Sequence, residues 1–193
     1  MAEHNPADPI ITFHGVVAVS FYDEAADFKV GDTVEPTGLT KNTEVNGLPS
    51  EIKEVREEGP ESLYRIEMRG GNVAVLKKVN IKRCASATVV EAEGAMMDLG
   101  KELQLKLMCS KESDLDPVKA ALTRALQDTG AAANIVGEWT LKQVEWDDQP
   151  MQSKSSFKWI EAGSMLKFRG AVDTTVIPRQ APPQQETACC TVQ

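Results

Sequence analysis

Ile10-Ile11-Thr12-Phe13-His14-Gly15-Val16-Val17-Ala18-Val19-Ser20-Phe21-Tyr22 is a run of β-branched and aromatic residues that reads as extended chain. It is either one long strand or two strands broken at Gly15. Ahead of it stands a polar leader, 1–9. After it come Phe28-Lys29-Val30-Gly31-Asp32-Thr33-Val34-Glu35, Glu51-Ile52-Lys53-Glu54-Val55, Leu63-Tyr64-Arg65-Ile66-Glu67-Met68 and Asn72-Val73-Ala74-Val75-Leu76. Turn signals separate these runs: Val45-Asn46-Gly47-Leu48-Pro49, Glu58-Gly59-Pro60 and Gly70-Gly71. Five or six short strands at about ten-residue spacing, with no helical periodicity between them, predict a small all-β barrel over 10–84.

The pattern changes at residue 85. Thr88-Val89-Val90-Glu91-Ala92 is a short strand candidate, and Gly100–Leu107 alternates polar and apolar with Leu103, Leu105 and Leu107 on one face. Asp116-Pro117-Val118 predicts a helix start with Asp116 as N-cap and Pro117 at the first helical position. Val118, Leu122, Ala125 and Leu126 form its apolar stripe, and Gly130 is the expected stop. Glu138–Trp146 reads as a strand, a loop-rich stretch covers 147–156, and Phe157–Ile160 is a short helical turn. Ser164-Met165-Leu166-Lys167-Phe168-Arg169 is the last strand.

The chain has 193 residues, with 21 Lys and Arg against 29 Asp and Glu, a formal net charge of −8. Basic and acidic residues number 10 and 14 in 1–84 and 11 and 15 in 85–193, so each half is −4. Neither half attracts polyanions by bulk charge. No stretch approaches 18 uninterrupted apolar residues, and Met1-Ala-Glu-His-Asn-Pro lacks the basic and apolar regions of a signal peptide. A cytoplasmic location, with the cysteines kept as thiols, is the resulting expectation.

The order of signals over 28–83 resembles an SH3-like barrel: the Val30-Gly31-Asp32 strand entry, Gly38-Leu39, Val45-Asn46-Gly47, Tyr64-Arg65-Ile66, the Gly70-Gly71 turn and the closing Leu76-Lys77-Lys78-Val79-Asn80-Ile81. Such barrels resemble KOW and Tudor modules, which implies binding of peptides, nucleic acid or other domains. Tyr64 is the only aromatic between Phe28 and residue 84, which argues against an aromatic cage for methylated lysine.

Residues 87–172 are similar to a ubiquitin-like β-grasp in the order strand, strand, helix, strand, short helical turn, strand. The resemblance is carried by the Gly100-Lys101 turn, Val118-Lys119-Ala120 opening the helix, Gln127-Asp128-Thr129-Gly130 at its end, and Trp159-Ile160-Glu161-Ala162-Gly163-Ser164-Met165-Leu166-Lys167-Phe168. No Gly-Gly follows the last strand and 21 residues come after Val172, so a built-in binding module is implied rather than a conjugated modifier. Trp139 and Trp146 are candidates for its interaction surface, with a core role as the competing assignment for at least one of them. The expected organisation is thus a leader (1–9), an SH3-like barrel (10–84), a ubiquitin-like α+β domain (85–175) and a flexible tail (176–193).

That tail is rich in Pro and Gln and ends Cys189-Cys190-Thr191-Val192-Gln193. Cys190-Thr-Val-Gln fits the C-a-a-X rule for prenylation, Gln at the last position favouring farnesyl, and Cys189 is a candidate for palmitoylation. No Lys or Arg cluster adjoins the motif, and a single lipid holds a membrane only marginally.

Sequence signatures for chemistry are few. There is no phosphate-binding glycine loop, zinc-protease motif or nucleophile elbow. Four cysteines and two histidines give no metal-cluster spacing. Cys109 and Cys84 read as small buried hydrophobes, and a catalytic reading would require a pocket joining His14 or Cys109 to other polar groups. Asp23/Glu24, Glu57/Glu58 and Asp147/Asp148 read as solvated turn carboxylates, and Asp114 and Asp116 as helix-capping residues. Lys77, Lys78, Lys82 and Arg83 form the one basic cluster, without the aromatics that stack bases. The expectation is a non-enzymatic adaptor that binds protein partners, needs no cofactor or metal, and meets membranes through a lipidated tail. The alternative is an RNA- or ribosome-associated barrel protein using 77–83.

Overall fold

The computed structural model describes residues 9–58, 61–90, 97–155 and 157–176. In chain order the strands are β1 (Ile10–Phe21), β2 (Thr33–Pro36), β3 (Ser50–Glu58), β4 (Glu61–Met68), β5 (Val73–Lys77), β6 (Ile81–Arg83), β7 (Ser86–Val89), β8 (Glu102–Cys109), β9 (Glu138–Trp146), β10 (Gln149–Pro150) and β11 (Met165–Asp173). Among the described residues a single α-helix, α1 (Leu115–Ala132), connects β8 to β9, and a 3-10 turn spans Phe157–Trp159. The fold is predominantly β, in two open sheets. One is six-stranded in the order β10-β9-β11-β1-β8-β7, the other five-stranded in the order β5-β4-β3-β2-β6.

Residues 10–21, expected to begin the first module, lie instead in the six-stranded sheet. β1 is one unbroken strand, parallel to β8 and antiparallel to β11. Described residues 9–22 and 85–176 therefore form one unit, and 23–84 form a second unit inserted into it. This corrects the start of the first module from residue 10 to residue 23, its end at 84 being unchanged: the larger domain is discontinuous in sequence. The physical reason is length and pattern. Gly15, Val17, Val19 and Phe21 alternate with more outward residues and pair with Leu103, Leu105, Leu107 and Cys109 of β8 position for position. The element order read over 85–173 stands, but β1 separates its two middle strands.

Glycine makes the centre of this sheet possible. Phe13 pairs with Gly170 across β1 and β11, and Gly15 pairs with Phe168. Each ring lies where the opposite glycine lacks a side chain: a Cβ on either would come within 2.5 Å of the facing ring. The Phe13 ring then reaches both Phe168 (6.4 Å between centroids) and Trp139 (5.3 Å). Leu103, Leu105, Leu107, Val17, Val19, Leu141, Val144 and Leu166 extend the same face, which α1 covers with Leu115, Val118, Ala121, Leu122 and Leu126. Full burial of side chains of this size contributes about 1.5–3 kcal/mol each before entropy is charged.

The helix starts and stops differently from the sequence expectation. It begins at Leu115 after Asp114, so Asp116 lies in its first turn and Pro117 is its third residue, where the missing N–H has no helical partner to lose. Gly130 is not the stop. It is a buried helical residue packed under the Trp139 ring, and a Cβ there would clash with the indole. The stop is Asn134, with φ +62°. Its N–H bonds to the Ala131 carbonyl, and the Ile135 N–H to the Gly130 carbonyl at 2.7 Å, the paired bonds of a Schellman ending. Gly130→Ala is accordingly expected to destabilise by about 1–3 kcal/mol by urea unfolding, although alanine normally gains about 1 kcal/mol over glycine inside a helix.

The inserted unit buries Val34, Ile52, Tyr64, Ile66 and Ile81, with Phe28, Val55, Ala74 and Leu76 packed around them. All its strand pairs are antiparallel, and β5 and β6 are its edges. Among the described residues no helix is long and apolar enough to cross a membrane.

Candidate interaction surfaces

The basic segment 77–83 runs from the end of β5 through the 3-10 turn Lys78–Asn80 into β6. Each of its four cations is held by a carboxylate from elsewhere in the inserted unit: Lys77 by Glu61 at 2.7 Å, Lys78 by Asp27 at 2.6 Å, Lys82 by Glu35 at 2.6 Å and Arg83 by Asp32 at 3.0 Å. The hydrogen bond between Lys78 and Asp27 raises the ammonium above its usual range and lowers the carboxyl, and the bond to Glu35 likewise raises Lys82. The lysine pairs are exposed and contribute little to stability. Their effect is local neutrality along a segment that looked like a positive patch.

Arg83 has a different role from the one expected of it. Its side chain is only 9% exposed, so it is not a surface cation. One terminal nitrogen donates to the carbonyls of Asp23 (3.3 Å) and Ala26 (2.8 Å), the other to the carbonyl of Asp27 (2.7 Å) and to Asp32. The guanidinium also lies 4.6 Å over the Phe28 ring, which meets Tyr64 edge-on at 5.5 Å. The planar fork of arginine ties the segment 23–32 to β6.

The two tryptophans singled out in the sequence also part company. Trp139 is 6% exposed, in the core between Phe13 and Gly130, and does not belong to an interaction surface. Its indole N–H is buried without a hydrogen-bond partner among the described residues. Trp146, at the end of β9, is partly exposed at 36%, and Trp159, which carried no assignment, is 75% exposed with Lys158 near its ring.

Cys109 is fully buried, and burial pushes its thiol up to about 12. It points to the core face of β8, whereas His14 points to the opposite face of β1, so they form no nucleophile–base pair. Native Cys109 is expected to resist alkylation at pH 8 and to react once the chain is unfolded in urea. The linkage has a definite sign. Above an ordinary thiol pKa of 9.0 the unfolded state ionises and the folded state does not, so this site lowers stability as pH rises from 9 to about 12. Cys84 lies at the end of the inserted unit, its N–H bonded to the Thr33 carbonyl. Asp23/Glu24 and Asp147/Asp148 lie outside helices and paired strands, with Asp147 and Asp148 at φ +50° and +57° in the β9–β10 turn, whereas Glu57 and Glu58 lie in β3 rather than in a turn. Among the described residues no three His, Cys, Asp or Glu side chains are placed to hold a metal ion. Cys189 and Cys190 lie outside the described residues.

The surface that the sequence did not single out is the face of the six-stranded sheet opposite α1. Register places Glu102, His14, Arg169 and Gln143 side by side across β8, β1, β11 and β9, with Gln104, Val16, Lys167 and Glu145 in the next row. His14, Glu102, Gln143, Glu145, Lys167 and Arg169 border a shallow, open depression over Gly15 and Phe168. Within it Arg169 donates to Glu145 at 2.6 Å, as does the Gln143 amide at 2.8 Å, while Lys167 reaches Asp148 at 2.5 Å. Alternation along β8 and β11 marks these positions as outward. Their assembly into one face depends on β1 lying between those strands.

No family model matches the chain, and no curated protein or solved structure shows significant similarity to it.

Proposed function

We propose that the chain is a non-enzymatic adaptor that binds a protein partner through the open face of the six-stranded sheet. The observation that carries this reading is the composition of that face. Charges of both signs, one amide and one imidazole stand in register around a shallow depression, and the helix covers only the other side. A mosaic of alternating sign selects a complementary protein surface and rejects uniform polyanions. The finer fold readings belong to the same proposal: an SH3-like module for 23–84, and a ubiquitin-like module for 85–176 completed by β1. The tail adds a membrane tether, with a prenyl group on Cys190 and an acyl group on Cys189. The RNA alternative finds no support in the 77–83 segment, where binding phosphate would displace four carboxylates from their cations.

Glu102→Lys combined with Lys167→Glu reverses two exposed charges without touching the core. Comparative capture with wild-type and variant protein at matched melting temperature should lose a specific set of partners. Equal capture by both would overturn the assignment of the face. Intact-mass measurement after expression in a eukaryotic host tests the tether: a prenyl mass on wild type and none on Cys190→Ser is expected, and an unmodified wild-type terminus removes it.

A further inference from the structure

Sheet edges are where an antiparallel β protein is open to another chain, and this molecule treats its edges unequally. β10 is two residues long and includes Pro150, which has no N–H to give. β6 is three residues long and presents Lys82, which is exposed. β7 is four residues long and packs against α1. β5 has no proline and no covering helix, and its one charge, Lys77, stands at its last position. It is five residues, Val73-Ala74-Val75-Leu76-Lys77, paired with β4 alone among the described residues. Val73 and Val75 are 45% and 47% exposed on its outward side, while Ala74 and Leu76 pack on the core of the inserted unit.

The ladder fixes which backbone groups remain open. The Met68 N–H donates to the Asn72 carbonyl at 2.7 Å, so Met68 and Asn72 form a hydrogen-bonded pair. Pairs of this kind recur at every second position, which assigns Ile66 with Ala74 and Tyr64 with Leu76 to the same class. The N–H groups of Val73, Val75 and Lys77 and the C=O groups of Val73 and Val75 therefore point away from β4 along the free edge, while the Lys77 C=O opens the 3-10 turn.

We propose that this edge takes a second copy of the same chain. The copy pairs antiparallel with β5 about a two-fold axis at Val75, joining two five-stranded sheets into one of ten strands. Self-complementarity selects this occupant. With Val75 opposite Val75, Val73 faces Lys77 of the copy, and all three outward residues of each strand fall in hydrogen-bonding positions. The two valines meet at the axis, and each lysine lies opposite a valine instead of its own counterpart. Moving the axis to Lys77 brings the lysines face to face; moving it to Val73 leaves Val75 opposite Gly71. An isologous contact of this size is that of a weak, reversible dimer. The inference is independent of the proposed partner face, which lies on the other sheet.

Sedimentation equilibrium of the full chain from about 10 to 500 μM, a range suited to micromolar-to-millimolar dissociation constants, tests it together with amide exchange. The mass should rise from one chain toward two, and protection of the Val73 and Val75 amides should rise with it. Val75→Lys places like charges on the axis. Val75→Pro deletes an N–H that the internal ladder does not use. Both variants should keep the wild-type circular dichroism spectrum and stay monomeric over the whole range. A wild type that is monomeric at 500 μM overturns the proposal. So does a folded Val75→Lys protein that still dimerises, or dimerisation that leaves the two amides unprotected.

Discussion

Arg83→Leu is expected to unfold most of the inserted unit at neutral pH. The substitution keeps an apolar stem but removes every donor that ties 23–32 to β6. It leaves Asp32, a half-buried carboxylate, facing no cation, and the carbonyls of Asp23, Ala26 and Asp27 lose their partner. Removing one member of a buried pair typically costs about 3–5 kcal/mol. A unit of some 60 residues has roughly 3–9 kcal/mol to lose. The cation over Phe28 adds to the loss, because Phe28 is part of the packing around Tyr64. Hydrogen exchange at Val34, Ile52 and Ile66 is the direct readout, since these side chains are fully buried. Arg83→Lys should recover only part of the stability, because a single ammonium cannot serve three carbonyls and a carboxylate from two separate nitrogens while lying flat on a ring. A change below about 1 kcal/mol for Arg83→Leu, within the range of an ordinary surface substitution, would show that the carbonyl contacts do not hold the unit together.

The second large effect lies in the other sheet. Gly15→Ala and Gly170→Ala should each destabilise by about 2–3 kcal/mol, near the top of the range for overpacking. Neither glycine has a positive φ, so alanine suits the backbone and on conformational entropy alone would be a gain of about 0.4–1 kcal/mol. Sterics reverse the sign. A methyl at 15 meets the Leu103 carbonyl as well as the Phe168 ring, and a methyl at 170 meets the Thr140 carbonyl as well as the Phe13 ring. A ring can turn aside, but a main-chain carbonyl in a sheet cannot move without shifting its strand. Adding Phe168→Leu to Gly15→Ala therefore relieves only one of the two clashes. A double variant as stable as Phe168→Leu alone would contradict the backbone contact. Denaturation midpoints at constant m-value provide the comparison.

The features legible in the sequence were those set by local periodicity. Leu103, Leu105 and Leu107 alternate, Val118, Leu122 and Leu126 recur at helical spacing, and both segments form the elements these patterns call for. Glu138–Trp146 matches β9 residue for residue. What stayed hidden was pairing over long separations. Alternation in 10–21 says that one face is buried but not which strand lies alongside, and proximity in sequence favoured the wrong neighbour. The same blindness affected Lys78 and Arg83, whose carboxylates lie about 50 residues upstream. Gly130 was misread for a different reason: a glycine near a helix end usually stops it, but here the indole of Trp139 requires the missing side chain while Asn134 turns the chain. The open face could be foreseen strand by strand, as the outward half of each alternating pattern, but not as a surface.

The placement of β1 has a consequence for synthesis of the chain. Phe21 and Met165 are separated by 143 residues, so β1 is complete long before β11 exists to flank it. At about 5–20 residues per second this is a delay of roughly 7–29 seconds. Until β8 and α1 follow at 102–132, Phe13, Val17 and Val19 have no permanent cover, while the inserted unit already has all its own strands and can fold. An apolar strand waiting this long is what cellular holdases recognise, so the yield of folded protein should depend on them more than its modest size suggests.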